Sequence, residues 1–164
     1  MGGVRILVLS DTHIPVAAQD LPQEIYKAIE GVDMIFHAGD LIDAGTLEKL
    51  KSLKETRAVY GNMDSKELCR ALNVKEVVNV GKFKIALIHG YGAPSEIMST
   101  VRREFDKIDV LVFGHSHAAM NIKKDGVLYF NPGSPTDKIF ARKNSYGILE
   151  VTDKKIEGTI VEIH

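Results

Sequence analysis

The chain has 164 residues, and its 21 Lys plus Arg and 22 Asp plus Glu give a formal net charge of −1. This near-neutral balance, together with 45% apolar residues, excludes disorder as the dominant state and argues against a dedicated nucleic-acid or membrane-surface protein. The length predicts one domain over residues 1–164, with enough buried area for a hydrophobic core.

The first part of the chain alternates short apolar runs with amphipathic stretches. Continuous apolar runs predict buried strands, and apolar residues three or four positions apart predict helices. Asp20 is expected to cap the first helix, with Gln23 three residues later. In chain order this part predicts a strand at 4–9, a helix through Ile25 and Ile29, a strand at 34–38, a helix through Leu47 and Leu53, a strand at 57–60, and a helix capped by Ser65.

The second part is richer in strands. It predicts a hairpin of strands 74–80 and 83–88, a helix at 94–105, a strand at 110–113, and antiparallel strands at 120–124, 127–131, 146–151 and 155–163. Because sheets and helices each bury one face, we expect an α/β protein with two packed mixed β-sheets flanked by helices.

The cellular setting is expected to be the reducing cytoplasm. Cys69 is the only cysteine, so no internal disulfide can form. The N-terminus leads directly into a strand-like run without a secretory signal pattern, and no apolar run approaches the ~18 residues of a membrane span. We therefore expect no membrane partner.

Five apolar runs deliver polar side chains at their carboxyl ends. The side chains with metal-binding chemistry at these ends are Asp11, His13, Asp40, Asn62, His89, His115 and His117. Ligands bind at the carboxyl ends of strands in α/β sheets, so these groups should converge if their strands share one sheet. Oxygen and imidazole donors without thiolates suit Mn, Fe, Zn or Ni, and seven donors suit two ions about 3.5–4 Å apart.

The ordered motifs carry a resemblance to a known family. Asp-x-His at 11–13, Gly-Asp at 39–40, Gly-Asn-x-Asp at 61–64, His-Gly at 89–90 and Gly-His-x-His at 114–117 resemble the calcineurin-like metallophosphoesterase superfamily. With the Asn-Pro-Gly-Ser turn at 131–134, the chain looks like the small YfcE-like phosphodiesterase branch, which includes the retromer sorting subunit. The resemblance implies a four-layer αββα sandwich, in agreement with the fold expected from the pattern.

The resemblance also implies a ligand set and an activity. One divalent ion would be held by Asp11, His13, Asp40 and His117, and a second by Asp40, Asn62, His89 and His115, with Asp40 bridging. Mn²⁺ is favoured, with Ni²⁺, Fe or Zn²⁺ as alternatives. A hydroxide that bridges the ions would attack a small phosphoester, with a phosphodiester favoured. Asp40, Asn62 and His89 would be catalytic, and Asn62 and Ser134 would contact the substrate phosphate.

Met63 departs from the pattern of many superfamily members, which carry a histidine there that helps to protonate the leaving group. A thioether cannot donate a proton, and general acid catalysis is typically worth about 10²–10⁴-fold. We therefore expect slow turnover of poor leaving groups, whereas good leaving groups such as aryl esters should suffer less.

Other interpretations remain open. A non-catalytic, protein-binding scaffold of the same fold is the main alternative, nucleic acid is a less favoured substrate, and a homo-oligomer is compatible with the sequence. His37 is expected to be a buried or orienting histidine and Asp64 an orienting partner or helix-start charge. Lys138, Arg142 and Lys143 are expected to lie on a solvated loop.

Overall fold

The computed structural model describes residues 2–164; Met1, the first residue of the predicted domain, lies outside the described residues. In chain order the elements are β1 (Val4–Leu9), α1 (Gln23–Glu30), β2 (Met34–His37), α2 (Ala44–Leu53), β3 (Glu55–Ala58), α3 (Lys66–Ala71), β4 (Lys75–Val80), β5 (Phe83–Ile88), α4 (Ile97–Arg102), β6 (Val110–Val112), β7 (Met120–Lys124), β8 (Val127–Asn131), β9 (Asn144–Val151) and β10 (Ile156–Ile163).

The strands form two mixed five-stranded sheets. The first sheet has the order β10-β9-β1-β2-β3, and the second has the order β4-β5-β6-β8-β7. In the first sheet β1, β2 and β3 run parallel, with Val8 opposite Phe36. In the second sheet β5, β6 and β8 run parallel, with Leu87 opposite Val112. The remaining strands pair in the antiparallel sense at the edges, and β9 lies between β10 and β1.

Alternation of side chains along the strands builds the layers. Ile6 and Val8 of β1 point into a buried cluster shared with Leu87 and Val112 of the second sheet. Their neighbour Leu7 points the other way and packs with residues of α1 and α2. A third cluster places the outer face of the second sheet against α4. Because successive side chains of a strand face opposite sides, this pattern produces the predicted helix–sheet–sheet–helix sandwich, which the structure confirms.

Two helix ends differ from the prediction. The residue before α1 is Pro22, which makes no side-chain cap; Asp20 instead accepts hydrogen bonds from its neighbour Leu21 N and from Tyr26 Oη. The prediction that Asp20 caps this helix was therefore wrong. The predicted helix at 94–105 is shorter, because the hydrogen bonds of Glu104 N and Phe105 N reach back only three residues and form tighter turns.

The cap of α3 agrees with the prediction, since Ser65 Oγ accepts from Leu68 N at 3.3 Å. Within residues 2–164, no helix combines the length and apolar character needed to cross a membrane.

The five ligand-bearing runs are divided between the two sheets. Three of them precede the loops after β1, β2 and β3 in the first sheet, and two precede the loops after β5 and β6 in the second. The two sheets nevertheless bring these loops to one end of the sandwich. His89 Nδ1 lies 2.8 Å from the Ala38 carbonyl oxygen of the opposite sheet, and His115 N lies 3.1 Å from Asp11 Oδ2.

Candidate metal centre

Sharp left-handed turns carry many of the candidate ligands. Only a few residues other than glycine have a positive φ in the described chain, and most of them are predicted ligands: Asp11 (55°), His13 (45°), Asp40 (62°), His115 (71°) and His117 (60°). This conformation costs an L-residue roughly 1–3 kcal/mol and persists where the surroundings enforce it, often at functional sites. The strands β1, β2 and β6 are therefore each followed by a left-handed turn that carries a candidate ligand.

Asp11 is fully buried, and its two carboxylate oxygens have different surroundings. Oδ2 accepts hydrogen bonds from Ser10 Oγ at 2.7 Å and from His115 N at 3.1 Å. Oδ1 lies 3.3 Å from His117 Nε2 and 3.7 Å from His13 Nε2. Burial raises the pKa of Asp11, but the histidines outweigh it and hold this pKa well below its usual range. The group is therefore a carboxylate at any physiological pH.

Asp40 is held by the loop after β3. Its Oδ1 accepts from Met63 N at 2.8 Å, and its Oδ2 lies 3.2 Å from His89 Nε2 and 3.3 Å from His13 Nε2. Despite the opposing effect of burial, hydrogen bonding to the two histidines keeps the pKa of Asp40 well below its ordinary value. Asp40 therefore also presents a charged oxygen to the centre.

Asp64 fixes the loops around Asp40 without being part of the centre. Its carboxylate accepts hydrogen bonds from the backbone N–H groups of Asp40, Ile42 and Gly61 at 2.9, 2.6 and 2.7 Å. One side chain thus joins the loop after β2 to the loop after β3, which is the orienting arrangement considered for it from the sequence.

The hydrogen bonds of two histidines define which ring nitrogen faces the carboxylates. His89 Nδ1–H donates to the Ala38 carbonyl at 2.8 Å, and His117 Nδ1–H donates to Asp137 Oδ2 at 2.6 Å. In a neutral imidazole the other nitrogen then carries a lone pair. Both Nε2 atoms therefore point lone pairs at anionic oxygens, which is repulsive unless a proton or a metal cation lies between them.

The donor set fits a metal cation. Among the described residues, Asp11 Oδ1, His13 Nε2 and His89 Nε2 are buried without a hydrogen-bond partner. Two triads, Asp11–His13–His117 and Asp11–Asp40–His89, each offer ligand atoms within 4.8 Å of one another. Oxygen and imidazole donors of this kind suit divalent transition metals.

Protons can take the place of a cation at this centre. Burial lowers the pKa of His13, but Asp11 and Asp40 outweigh it and raise the pKa to about 9. Against the opposing effect of burial, Asp40 and Asp11 raise the pKa of His89, and Asp11 and Asp137 raise the pKa of His117.

Two predicted ligands lie beside the triads. His115 donates its backbone N–H to Asp11, and its ring stands edge-on to that of His89, with centroids 5.3 Å apart. Asn62 lines the cavity next to the triads, as does His115. The triads also place Asp11 in both groups, whereas the sequence prediction shares Asp40 between the two ions.

Ser134 lies beneath the centre, away from the cavity. It is fully buried, its Oγ donates to the Asp11 carbonyl oxygen at 2.8 Å, and it accepts from Asp137 N at 2.9 Å. The structure therefore replaces the predicted phosphate contact with a positioning role, because the hydroxyl is used to fix the Asp11 turn and is not exposed to a ligand.

Asp137 is the functional residue that sequence reasoning missed. In addition to His117, its carboxylate accepts from the backbone N–H groups of Ile139 and Ala141, both at 2.9 Å. Metal-binding histidines generally donate their second ring N–H to a carboxylate or carbonyl, so an acid close to the 131–134 turn was the available signal.

His37 joins two ligand-bearing loops from beneath. It is fully buried, and burial lowers its pKa to about 3, so the ring is neutral. Nδ1 accepts from Gly39 N at 3.1 Å, which leaves the proton on Nε2 to be donated to Thr12 Oγ1 at 3.1 Å. Its two nitrogens are both engaged, as expected for an orienting histidine.

A cavity of about 680 Å³ opens over the centre. Its lining includes His13, Asp40, Asn62, His115 and His117, and Met63 stands at its rim with half of its side chain exposed. A second cavity of about 230 Å³ begins on the other side of Asn62, where His89 and Tyr91 form part of the wall.

Comparisons with known proteins agree with this geometry. Residues 4–154 match the model of the calcineurin-like phosphoesterase superfamily domain. A probable metallophosphoesterase of Methanocaldococcus jannaschii is 36% identical over 140 residues, which cover 83% of this chain and 71% of that protein. The structure of vacuolar protein sorting 29 from Cryptosporidium parvum superposes with a TM-score of 0.78 at 24% identity, covering 99% of both chains. That of an archaeal phosphodiesterase superposes with a TM-score of 0.70 at 24% identity, covering 96% of this chain and 99% of that one.

Proposed function

Because the chain belongs to the calcineurin-like phosphoesterase superfamily, we propose that it is a phosphodiesterase that holds two divalent metal ions, with Mn²⁺ favoured. The observation that carries this proposal is the arrangement of buried carboxylates opposite imidazole lone pairs. Asp11 and Asp40 face the Nε2 atoms of His89 and His117 while both rings commit Nδ1–H to other acceptors. Such an arrangement calls for a cation.

We assign the ligands by combining the triads with the sequence pattern. Asp11, His13, Asp40 and His117 would hold one ion, and Asp40, Asn62, His89 and His115 would hold the other. Bound divalent ions supply positive charge for a phosphate and lower the pKa of coordinated water. The fixed turns after β1 and β2 keep the two carboxylates in place, so little reorganisation is required when a ligand binds.

The chain's own residues around the centre favour a diester. Asn62 lines both the larger and the smaller cavity, so a phosphoryl group beside its carboxamide has space on two sides for two ester groups. The amide N–H₂ can donate to a phosphate oxygen as negative charge develops there. Among the described residues that line the larger cavity, Lys138 is the only lysine or arginine, and it offers an anion a positive charge at the entrance.

Proton transfer is the weak part of this centre. Met63 donates its backbone N–H to Asp40, but its thioether side chain has no proton to give a leaving group. Substrates with acidic leaving groups, such as aryl phosphodiesters, are therefore expected to react fastest.

Hydrolysis of bis(p-nitrophenyl) phosphate tests the proposal. Purified protein with added Mn²⁺ should release p-nitrophenolate and bind about two ions per chain by elemental analysis, and EDTA should abolish the release. Asp40→Asn should lose most of the activity, whereas Asp153→Asn, at an exposed turn, should retain it.

Undiminished hydrolysis in EDTA would refute the metal mechanism. Metal binding without turnover of any phosphoester would instead favour the protein-binding scaffold.

A further inference from the structure

Large apolar side chains are concentrated at the mouth of the larger cavity. Val16, Ile139 and Phe140 are 75%, 82% and 78% exposed, and all three line this cavity. Met63, half exposed, lies on the same lining. Single exposed apolar residues are ordinary on a protein surface, but a cluster around a concave site marks a place where a ligand binds. We call Val16, Ile139 and Phe140 the apolar rim.

The backbone that carries the rim is anchored. The Asp137 carboxylate accepts hydrogen bonds from Ile139 N at 2.9 Å and from Phe140 N at 3.2 Å. The Phe140 ring stands edge-on to His117, with centroids 6.2 Å apart. One carboxylate therefore fixes both a candidate metal ligand and the segment that presents two exposed apolar side chains, so the rim has a defined position relative to the centre.

The rim and the centre also share one space. His13, Asp40 and His117 form the polar part of the cavity wall, and the apolar rim forms part of its mouth. A diester whose phosphate lies at the centre has space for one of its ester groups in this cavity. We propose that the apolar rim is a specificity surface that binds an aromatic ester group of the substrate. This inference rests on the proposed phosphodiesterase function.

The chemistry of the rim favours an aromatic ring over a sugar or a peptide. The side chains of Val16, Ile139 and Phe140 offer no hydrogen-bonding groups, so hydroxyls and amides placed against them would lose hydrogen bonds to water. The Phe140 ring offers a face or an edge for an aromatic contact, and a cavity of about 680 Å³ is of the size that takes small molecules.

Competition by three slow diesters tests the rim. The leaving groups of dimethyl, methyl phenyl and diphenyl phosphate are more basic than p-nitrophenolate, so these diesters react more slowly and serve as inhibitors of bis(p-nitrophenyl) phosphate hydrolysis by the Mn²⁺-loaded protein. The wild type should bind methyl phenyl phosphate about tenfold more tightly than dimethyl phosphate. Phe140→Ala and Val16→Ser should each reduce this ratio severalfold and leave the inhibition constant of dimethyl phosphate unchanged. The ratio cancels any general effect of a variant on the metal centre.

Ile122→Ala removes an apolar side chain that is 48% exposed on β7, away from the cavity, and should keep the wild-type ratio. If the protein hydrolyses the diester but methyl phenyl phosphate and dimethyl phosphate inhibit it equally, the inferred role of the apolar rim is overturned and the phosphodiesterase proposal stands. Absence of metal-dependent hydrolysis would overturn both. A change in sedimentation coefficient on Phe140→Ala with an unchanged ratio would show that the rim joins two copies of the chain, which also overturns the inference.

Discussion

The two sheets contribute different chemistry to the centre. The loops after β1 and β2 of the first sheet supply both carboxylates, Asp11 and Asp40, whereas the loops after β5 and β6 of the second sheet supply only imidazoles of the proposed set. Each sheet also orients ligands of the other. The Ala38 carbonyl of the first sheet fixes His89, and His115 N of the second sheet fixes Asp11. The centre therefore depends on how the sheets pack together, and neither sheet contains it alone.

Removing a carboxylate from the first sheet should have the largest effect. Asp11→Asn keeps the shape of the side chain but removes a buried negative charge that both triads use. We expect a loss of activity and metal affinity greater than the ~10–100-fold typical of orienting partners. Calorimetric titration of Mn²⁺ and the rate of diester hydrolysis measure it. An Asp11→Asn protein with near wild-type affinity would show that Asp11 is not a ligand.

Replacing Asp137, the acid that orients His117, should reduce metal affinity less than replacing Asp11. Asp137→Asn leaves a hydrogen-bond acceptor near His117 but removes its charge, so the ring becomes a weaker ligand. We expect Mn²⁺ affinity to fall by about 10–100-fold. Thermal unfolding should be recorded beside the titration, because the same carboxylate anchors the 139–141 backbone. If affinity is unchanged while stability falls, Asp137 acts on the loop alone.

Adding a proton donor to the loop after β3 tests whether the lack of general acid catalysis limits this centre. Met63→His places an imidazole at the cavity rim, and it should recover part of the ~10²–10⁴-fold that general acid catalysis contributes. The gain should appear with an alkyl leaving group and be small with p-nitrophenolate. Paired measurements of kcat/KM on the two substrates check this, and Met63→Gln is the control without a titratable group. An equal gain on both substrates would argue against proton donation.

The smallest expected effect is on the stability of the metal-free protein. The pKa of His13 is raised from 6.5 to about 9 by Asp11 and Asp40, in spite of burial. A raised folded-state pKa stabilises the fold below pH 6.5, and this contribution is lost as pH rises toward 9. In EDTA, Tm should therefore fall more between pH 6.5 and 9 for the wild type than for His13→Gln. An equal fall in Tm for the two proteins would contradict the electrostatic coupling of His13 to Asp11 and Asp40.

Added Mn²⁺ should act in the opposite sense, because metal must displace these protons. Its stabilising effect on Tm should grow from pH 6.5 to 9.

Local pattern was sufficient for the order of the elements, since a run such as Val4–Leu9 followed by Asp11 is visible within a few residues. It was less exact at the ends, because the strand predicted at 57–60 lies two residues earlier, at Glu55–Ala58. Which sheet each strand joins depends on long-range pairing, so the division of the ligand-bearing strands between the two sheets could not be predicted from local pattern. Asp20 also satisfied the local rule for a helix cap, but Tyr26 and Lys49 engage its carboxylate instead.

The centre was predictable to the extent that its residues stand at strand ends. The five side chains of the triads were all chosen from the sequence, but the geometry that orients them was not. Asp137 reaches His117 from 20 residues away, and Ser134 reaches Asp11 from 123 residues away. Such pairs follow from packing at one end of the sandwich, which no local spacing encodes.

The left-handed backbone at Asp11, His13 and Asp40 has a consequence for variation in this chain. Glycine adopts such turns without steric penalty, so replacing any of these three residues with glycine would relax the backbone while deleting a donor atom. The two acids and the histidine therefore hold a backbone conformation that carries an energetic cost, and in return they present donor atoms that glycine lacks.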